Sequence, residues 1–498
     1  MQTDYDVIVV GGGPGGLTSA AIMAKWGLRT LLIDQNTTPG GKAVTAERDG
    51  FRYELGPKLQ CPMRGPGFEK AFNMLGIADQ LQPIYLDASI GAECAYRKGS
   101  WDSYKKSITT VEGASGDQDP SVFFDLWELN EKEQERAMAI LAEVALMPPE
   151  KMIELDELTF DDYLARQEDV PASLYWYLAM HANASLAEPI DLVSAYEQAA
   201  ILQQIATGGG GGYYKGGFGR VLGDLARAIE AGGVEMKMGV KVEKIEIEDG
   251  FIKGVVTNDG RYTAPVVLSD AGIQPTVLKL AGEEYFDKNY VNYVRSLVPG
   301  WSFTGVRYFL NKRVMKSGMY MMWSDDSVVN MERFIRMRSG EIPEEVIMFI
   351  TVPSNYDTTM APPDKQCLIA GTICSPDPEA AEISMLYDKM DELMNRLYPE
   401  AMDAVYEKET EGPADISRHT RDNVLPGQGG ECVGLAQIVG QCGRYKPSQR
   451  TPVNGLFIVG GDAGGVGMGT HQASESGING ANLALMFHRK RQAAGRLL

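Results

Sequence analysis

The sequence predicts an α/β fold: a nucleotide-binding domain assembled from three stretches of chain, and a mixed α+β domain made from the two stretches between them. Three observations carry this reading. A strand, a glycine-rich turn and a helix open the chain at Asp6–Trp26. A glycine-rich segment leading into a helix returns at Gly208–Ala231, and a strand, glycine turn and helix close the chain at Leu456–Phe487. The first domain then comprises residues 1–91, 205–280 and 444–498, and the second 92–204 and 281–443.

The elements follow in order. Asp6–Val10 is an apolar strand, Gly11–Gly16 a turn, and Leu17–Trp26 a helix of small and apolar residues closed by Gly27. Thr30–Ile33 is a second strand ending at Asp34, so the start is a βαβ unit with a right-handed parallel crossover. From about Ala92 to Gln204 the pattern is that of an inserted, mainly helical region, with a polar loop at Val111–Pro120 and a charged amphipathic helix at Leu129–Met147 stopped by two prolines. Lys241–Glu248 and Phe251–Thr257 flank Asp249–Gly250, a hairpin signal. Further strands are expected at Val266–Ser269, Trp301–Leu310, Val346–Val352 and Cys367–Ile373, and an apolar stripe from Ile383 to Leu397 marks a helix.

Composition narrows the function classes. The chain has 498 residues, 47 basic and 67 acidic, for a formal charge of −20. Such an excess of acid repels phosphate backbones and anionic lipid surfaces, so no nucleic-acid partner and at most peripheral membrane contact are expected. With 44% hydrophobic and 23% charged residues the balance is globular. Six dispersed cysteines without a CxxC pair, and only four histidines, indicate neither a zinc site nor a disulfide framework. The acidic N-terminus reads as a strand rather than a secretion signal, and a cytoplasmic protein with reduced thiols is expected.

Gly11-x-Gly13-x-x-Gly16, with Pro14 and Gly15 between, sits directly after a strand and opens a helix. Gly11 permits the tight turn, Gly13 lets the backbone approach a pyrophosphate, and Gly16 allows close packing of helix on strand. The helix start points N–H groups at phosphate charge. Asp34 lies twenty-three positions after Gly11 at the end of the second strand, where a carboxylate can accept ribose hydroxyls. This spacing fits FAD and NAD alike.

The residues that follow distinguish the two. With Pro39-Gly40-Gly41-Lys42 and Phe51–Pro57 (FRYELGP), the sequence resembles the FAD-dependent phytoene desaturase, carotenoid isomerase and amine oxidase superfamily. Gly216-Gly217-Phe218-Gly219 with its helix and strands, together with Gly434–Gln437, Tyr445–Ser448, Arg450–Pro452 and Gly455–Gly461, narrows the resemblance to the phytoene desaturase branch. It implies a Rossmann-type FAD-binding domain in which Gly40, Gly41 and Lys42 belong to the FAD pocket, with Lys42 near the phosphates. It also implies that Val242 makes a backbone contact to adenine, and that Gly461 and Asp462 meet the ribityl or phosphate region. The family's closing GGxPG turn is replaced here by Gly464–Gly469 followed by Thr470 and His471, polar groups that a bare polyene would not engage.

The resemblance implies a flavin that carries the redox chemistry, noncovalently bound, with a lipophilic small molecule as substrate. The turn at Gly469 and Thr470 would aim a helix start at the flavin's N1/O2 edge. His471 is the residue able to exchange a proton near neutral pH, with Thr470 beside it, and Tyr213, Tyr214 and Lys215 could reach the open face of the flavin or line a cavity. Met319–Trp323 reads as strand core or as an adaptable substrate wall, and Ser173–His181 as a cavity roof or a membrane-touching patch. The expected reaction is desaturation, saturation or isomerisation at carbon–carbon bonds. A flavin amine oxidase and a non-catalytic prenyl-binding protein are the alternatives. No metal is expected; the substrate's identity, the electron partner and the oligomeric state stay open.

Overall fold

The computed structural model describes residues 3–56, 58–87, 89–109, 120–208, 211–420 and 424–495. The polar loop expected over Val111–Pro120 falls almost wholly outside them. Strand β1 (Val7–Val10), helix α1 (Pro14–Lys25) and strand β2 (Thr30–Asp34) form the opening unit, with β1 and β2 parallel and Val7 opposite Thr30. All nine strand residues are buried, as expected of a parallel sheet covered on both faces. The sheet has five strands in the order 456–458, 267–269, β1, β2 and 235–238. Its members come from the start, middle and end of the chain, and α1 packs on the long closing helix Gly469–Gly495.

A second sheet has seven strands, in the order 405–411, 302–310, 366–374, 348–351, 319–324, 92–97 and 105–109. Its pairings are antiparallel except for 319–324 with 92–97. Residues 92–109 were expected within a mainly helical insertion and instead supply two strands. These strands are only six and five residues long, too short to show a period, and the sheet edge they extend is built from sequence more than two hundred positions away. The rest of that insertion is helical. Asn130 forms a capping box with Glu133 at the start of Glu131–Ala145, and Thr159 caps Phe160–Ala165 through the Asp162 N–H. Met319–Ser324 lies inside the second sheet with Trp323 fully buried, so this Met and aromatic set is strand core.

The hairpin forms as its sequence demands. Asp249 and Gly250 take φ of 54° and 75°, the left-handed pair of a tight primed turn. Among the described residues no helix is long and apolar enough to cross a membrane.

Candidate functional site

One large cavity runs from the Gly11–Gly16 turn to the second sheet and encloses about 1910 Å³ of non-protein space, part of it open to solvent. Gly11, Gly13, Pro14, Asp34, Gly41, Lys42, Val242, Gly461, Asp462, Gly469, Thr470 and His471 all line it.

The turn between β1 and α1 is built by geometry that only glycine meets. Gly11 sits at φ 100°, and a Cβ on Gly16 would collide with the Gly11 carbonyl oxygen. Gly15 and Gly16 therefore do not face the cavity but let helix and turn close on each other. Gly40 likewise stands behind the lining, while a Cβ on Gly41 would lie 3.1 Å from the Gly13 Cα, so the 39–42 loop presses on the turn.

Three parallel strands end at or near a carboxylate in this cavity. Asp34 accepts from the Gly12 N–H at 2.6 Å and from the Asn36 N–H at 2.7 Å, and its burial holds its pKa above the usual range. Asp462 accepts from Ile273 N–H at 2.8 Å and Leu435 N–H at 3.0 Å, stapling two loops to the cavity rim. Asp270 was not singled out from the sequence. It accepts from the Gly16 N–H at 2.9 Å, so it caps the very helix start expected to offer that N–H to phosphate. Burial, with Asp34 and Asp462 adding repulsion, pushes its pKa up to about 7. The signal was present, since ligands gather at the carboxyl ends of parallel strands and Asp270 ends one.

Lys42 was expected to serve the phosphates. Its Nζ lines the cavity but donates to the carbonyls of Glu431 at 2.5 Å and Val433 at 3.0 Å, tying the turn to the 431–433 segment.

At the other end, His471 is 4% exposed. Its Nε2 lies 3.0 Å from the Cys61 carbonyl and 3.3 Å from the Tyr214 hydroxyl. A carbonyl only accepts, so Nε2 carries the hydrogen in that contact, and the Pro66 backbone also stands against the ring. Burial pushes the imidazole down to about 4. This favours the neutral ring near pH 7. Tyr213, Tyr214 and Lys215 are not part of the lining. Tyr213 donates to Glu54 at 3.0 Å, and Tyr214 reaches the cavity only through His471. The Ser173–His181 run is not part of the lining; Ala184 and Ser185, farther along the same Ala172–Leu186 helix, are. Lys58, Leu59, Cys61, Phe303, Phe349 and Met468 complete this end. They come from four separate stretches of chain, and no local motif marks them.

The residues fit a dinucleotide. Glycines lie where side chains would fill the cradle, and a buried carboxylate ends β2.

Residues 9–75 match the model of an NAD(P)-binding Rossmann-like domain. The chain is 24% identical over 408 residues to a phytoene desaturase of Cercospora nicotianae, a match covering 76% of this chain and 63% of that protein. It is 23% identical over 512 residues to a chloroplastic prolycopene isomerase of Arabidopsis thaliana, covering 95% of this chain and 81% of that one. Among solved structures, an oxidoreductase from Methanosarcina mazei superposes with a TM-score of 0.67 at 17% identity, over 95% of this chain and 99% of its own. The glycine turn lies inside the matched Rossmann span and the desaturase and isomerase alignments run far beyond it, so the chain is similar to phytoene desaturases and prolycopene isomerases along most of its length and carries a Rossmann-like nucleotide-binding domain at its start.

Proposed function

We propose that this protein binds FAD and catalyses hydride transfer at carbon–carbon bonds of a largely apolar, isoprenoid-like molecule, as a desaturase, saturase or isomerase. The observation that carries this reading is the single cavity joining the glycine turn to a chamber walled by Leu59, Phe303, Phe349 and Met468. FAD, when bound, supplies a hydride acceptor or donor at its N5 position. The turn residues Gly11, Gly13 and Pro14 hold the pyrophosphate, Asp34 the ribose and Val242 the adenine. Gly469 and Thr470 place backbone N–H groups at the start of the closing helix, where they stabilise negative charge. Neutral His471 acts by hydrogen bonding, and the apolar chamber excludes water from the reacting carbons.

On this reading the stretches 1–91, 205–280 and 444–498 make the FAD-binding domain, and the rest the substrate domain, in a protein of the cytoplasm. The test is anaerobic reduction of the purified, FAD-reconstituted chain by isoprenoids and by amines. A yellow protein bleached by an isoprenoid and not by amines is expected, with the flavin released on acid precipitation. A protein that takes up no flavin, or is bleached only by amines, overturns the proposal.

A further inference from the structure

Lys58 stands where a hydrocarbon-binding chamber has no use for a charge. Its side chain is 2% exposed and lines the apolar end of the cavity, beside the edge-to-face pair Phe303 and Phe349, whose ring centroids are 5.0 Å apart. The second sheet is hollowed to let it pass. Gly305 and Gly371 are opposite one another on neighbouring strands. A Cβ on Gly305 would lie 2.9 Å from the Lys58 Cε, and one on Gly371 2.7 Å from its Cγ. The backbone is pinned as well, since the Thr351 hydroxyl donates to the Lys58 carbonyl at 2.9 Å.

The buried surroundings of Lys58 hold a single acceptor for it among the described residues. The Lys58 ammonium donates to Glu411 Oε2 at 2.6 Å, its one hydrogen-bond partner among the described residues. Arg307, also buried, bonds the same carboxylate oxygen. Two buried cations thus share one buried carboxylate. Glu409, 3.1 Å from Arg307, is 25% exposed and is shared with Arg48 at the surface. An ammonium has three N–H donors, and Lys58 spends one. Buried N–H groups without acceptors are unfavourable.

We propose that Lys58 is an anion subsite, and that the substrate is a lipophilic acid whose carboxylate pairs with it while its chain lies along Phe303, Phe349 and Leu59. The idea rests on the chamber being the substrate site. A ligand carboxylate takes up a free N–H of the Lys58 ammonium and places a second anion directly beside it. A bare hydrocarbon leaves the spare N–H groups without acceptors and a neutral ester offers them no charge, which is how a buried polar site rejects the analogue that lacks its partner.

The test uses the FAD-loaded full chain and two fluorescent probes, cis-parinaric acid and its methyl ester, titrated into wild type and Lys58→Met. The acid is expected to bind wild type about 30-fold more tightly than the ester, the scale of one lost charge-assisted hydrogen bond. The ratio is expected to fall to within about threefold in the variant, at unchanged flavin content. Equal binding of acid and ester by wild type overturns the subsite whether or not the variant folds, and leaves the apolar chamber standing. A preference that survives in Lys58→Met overturns it too. A shifted flavin absorption band with the preference intact assigns Lys58 to the flavin instead. Binding of neither probe removes the chamber as substrate site and the subsite with it.

Discussion

Asp270 is the residue whose surroundings determine most about cofactor binding. Its carboxyl sits at the start of α1 with Asp34 and Asp462 nearby, and burial pushes its pKa up to about 7. Below that pH it is neutral and compatible with a neighbouring pyrophosphate; above it, two like charges meet at the same helix end. FAD affinity is therefore expected to fall about tenfold between pH 6 and 8.5, the scale of one like-charge contact, and to stay flat in Asp270→Asn. Fluorescence titration of the apoprotein across pH measures this, and a flat wild-type profile refutes it. Asp34→Ala removes the buried carboxylate proposed to hold the ribose and is expected to weaken FAD by about 1.5–3 kcal/mol. Burial favours the neutral His471 ring, its pKa pushed down to about 4. Turnover is expected to show no inflection near pH 6.5, and His471→Ala to lower turnover more than flavin content. A variant with full turnover would leave His471 a helix-start residue without a part in the reaction.

At the scale of elements, α1 depends on the contact between its first turn and β1. Gly16→Ala places a methyl group against the Gly11 carbonyl oxygen, and the helix must move off the sheet to admit it. Loss of flavin binding is expected, with a stability loss of about 2 kcal/mol or more from overpacking, read by denaturant titration. The helix Glu131–Ala145 is different, because it lies far from the cavity lining and is held at its start by Asn130. Asn130→Ala is expected to cost about 1 kcal/mol of stability while flavin binding and turnover remain unchanged. Both elements were legible in the sequence, the first from its glycine spacing and the second from its proline stop. The strands 92–97 and 105–109 were not, because a short strand inside a seven-stranded sheet owes its existence to partners and not to its own pattern.

Across the whole molecule, buried titratable groups tie stability to pH. Glu54 accepts from Tyr213, Gln60 and the Phe218 N–H inside the core, and burial pushes its pKa up to about 7 from 4.5. The folded state therefore holds this proton more tightly than the unfolded chain. Its contribution is fully present below pH 4.5 and is lost as pH rises to 7. Glu54→Gln lacks that loss, so its stability relative to wild type is expected to rise by about 3 kcal/mol between pH 4.5 and 7. Parallel denaturant curves at the two pH values check this, and a constant difference would refute it.

The sequence alone determined the nucleotide turn, Asp34, the hairpin and the closing glycine loop, because each is a short-range pattern in which neighbouring residues supply the whole reason for the local shape. It also marked His471 and Asp462 by their places beside such patterns. Only the tertiary structure decided that burial favours the neutral form of His471, that Tyr214 stands behind it, that Asp270 caps α1, and that Lys58 crosses a pair of bare glycines to reach Glu411. Those outcomes depend on burial and on partners far away in sequence, Glu411 lying 353 positions from Lys58. Desolvation and charge pairing act through space, and no local pattern records them.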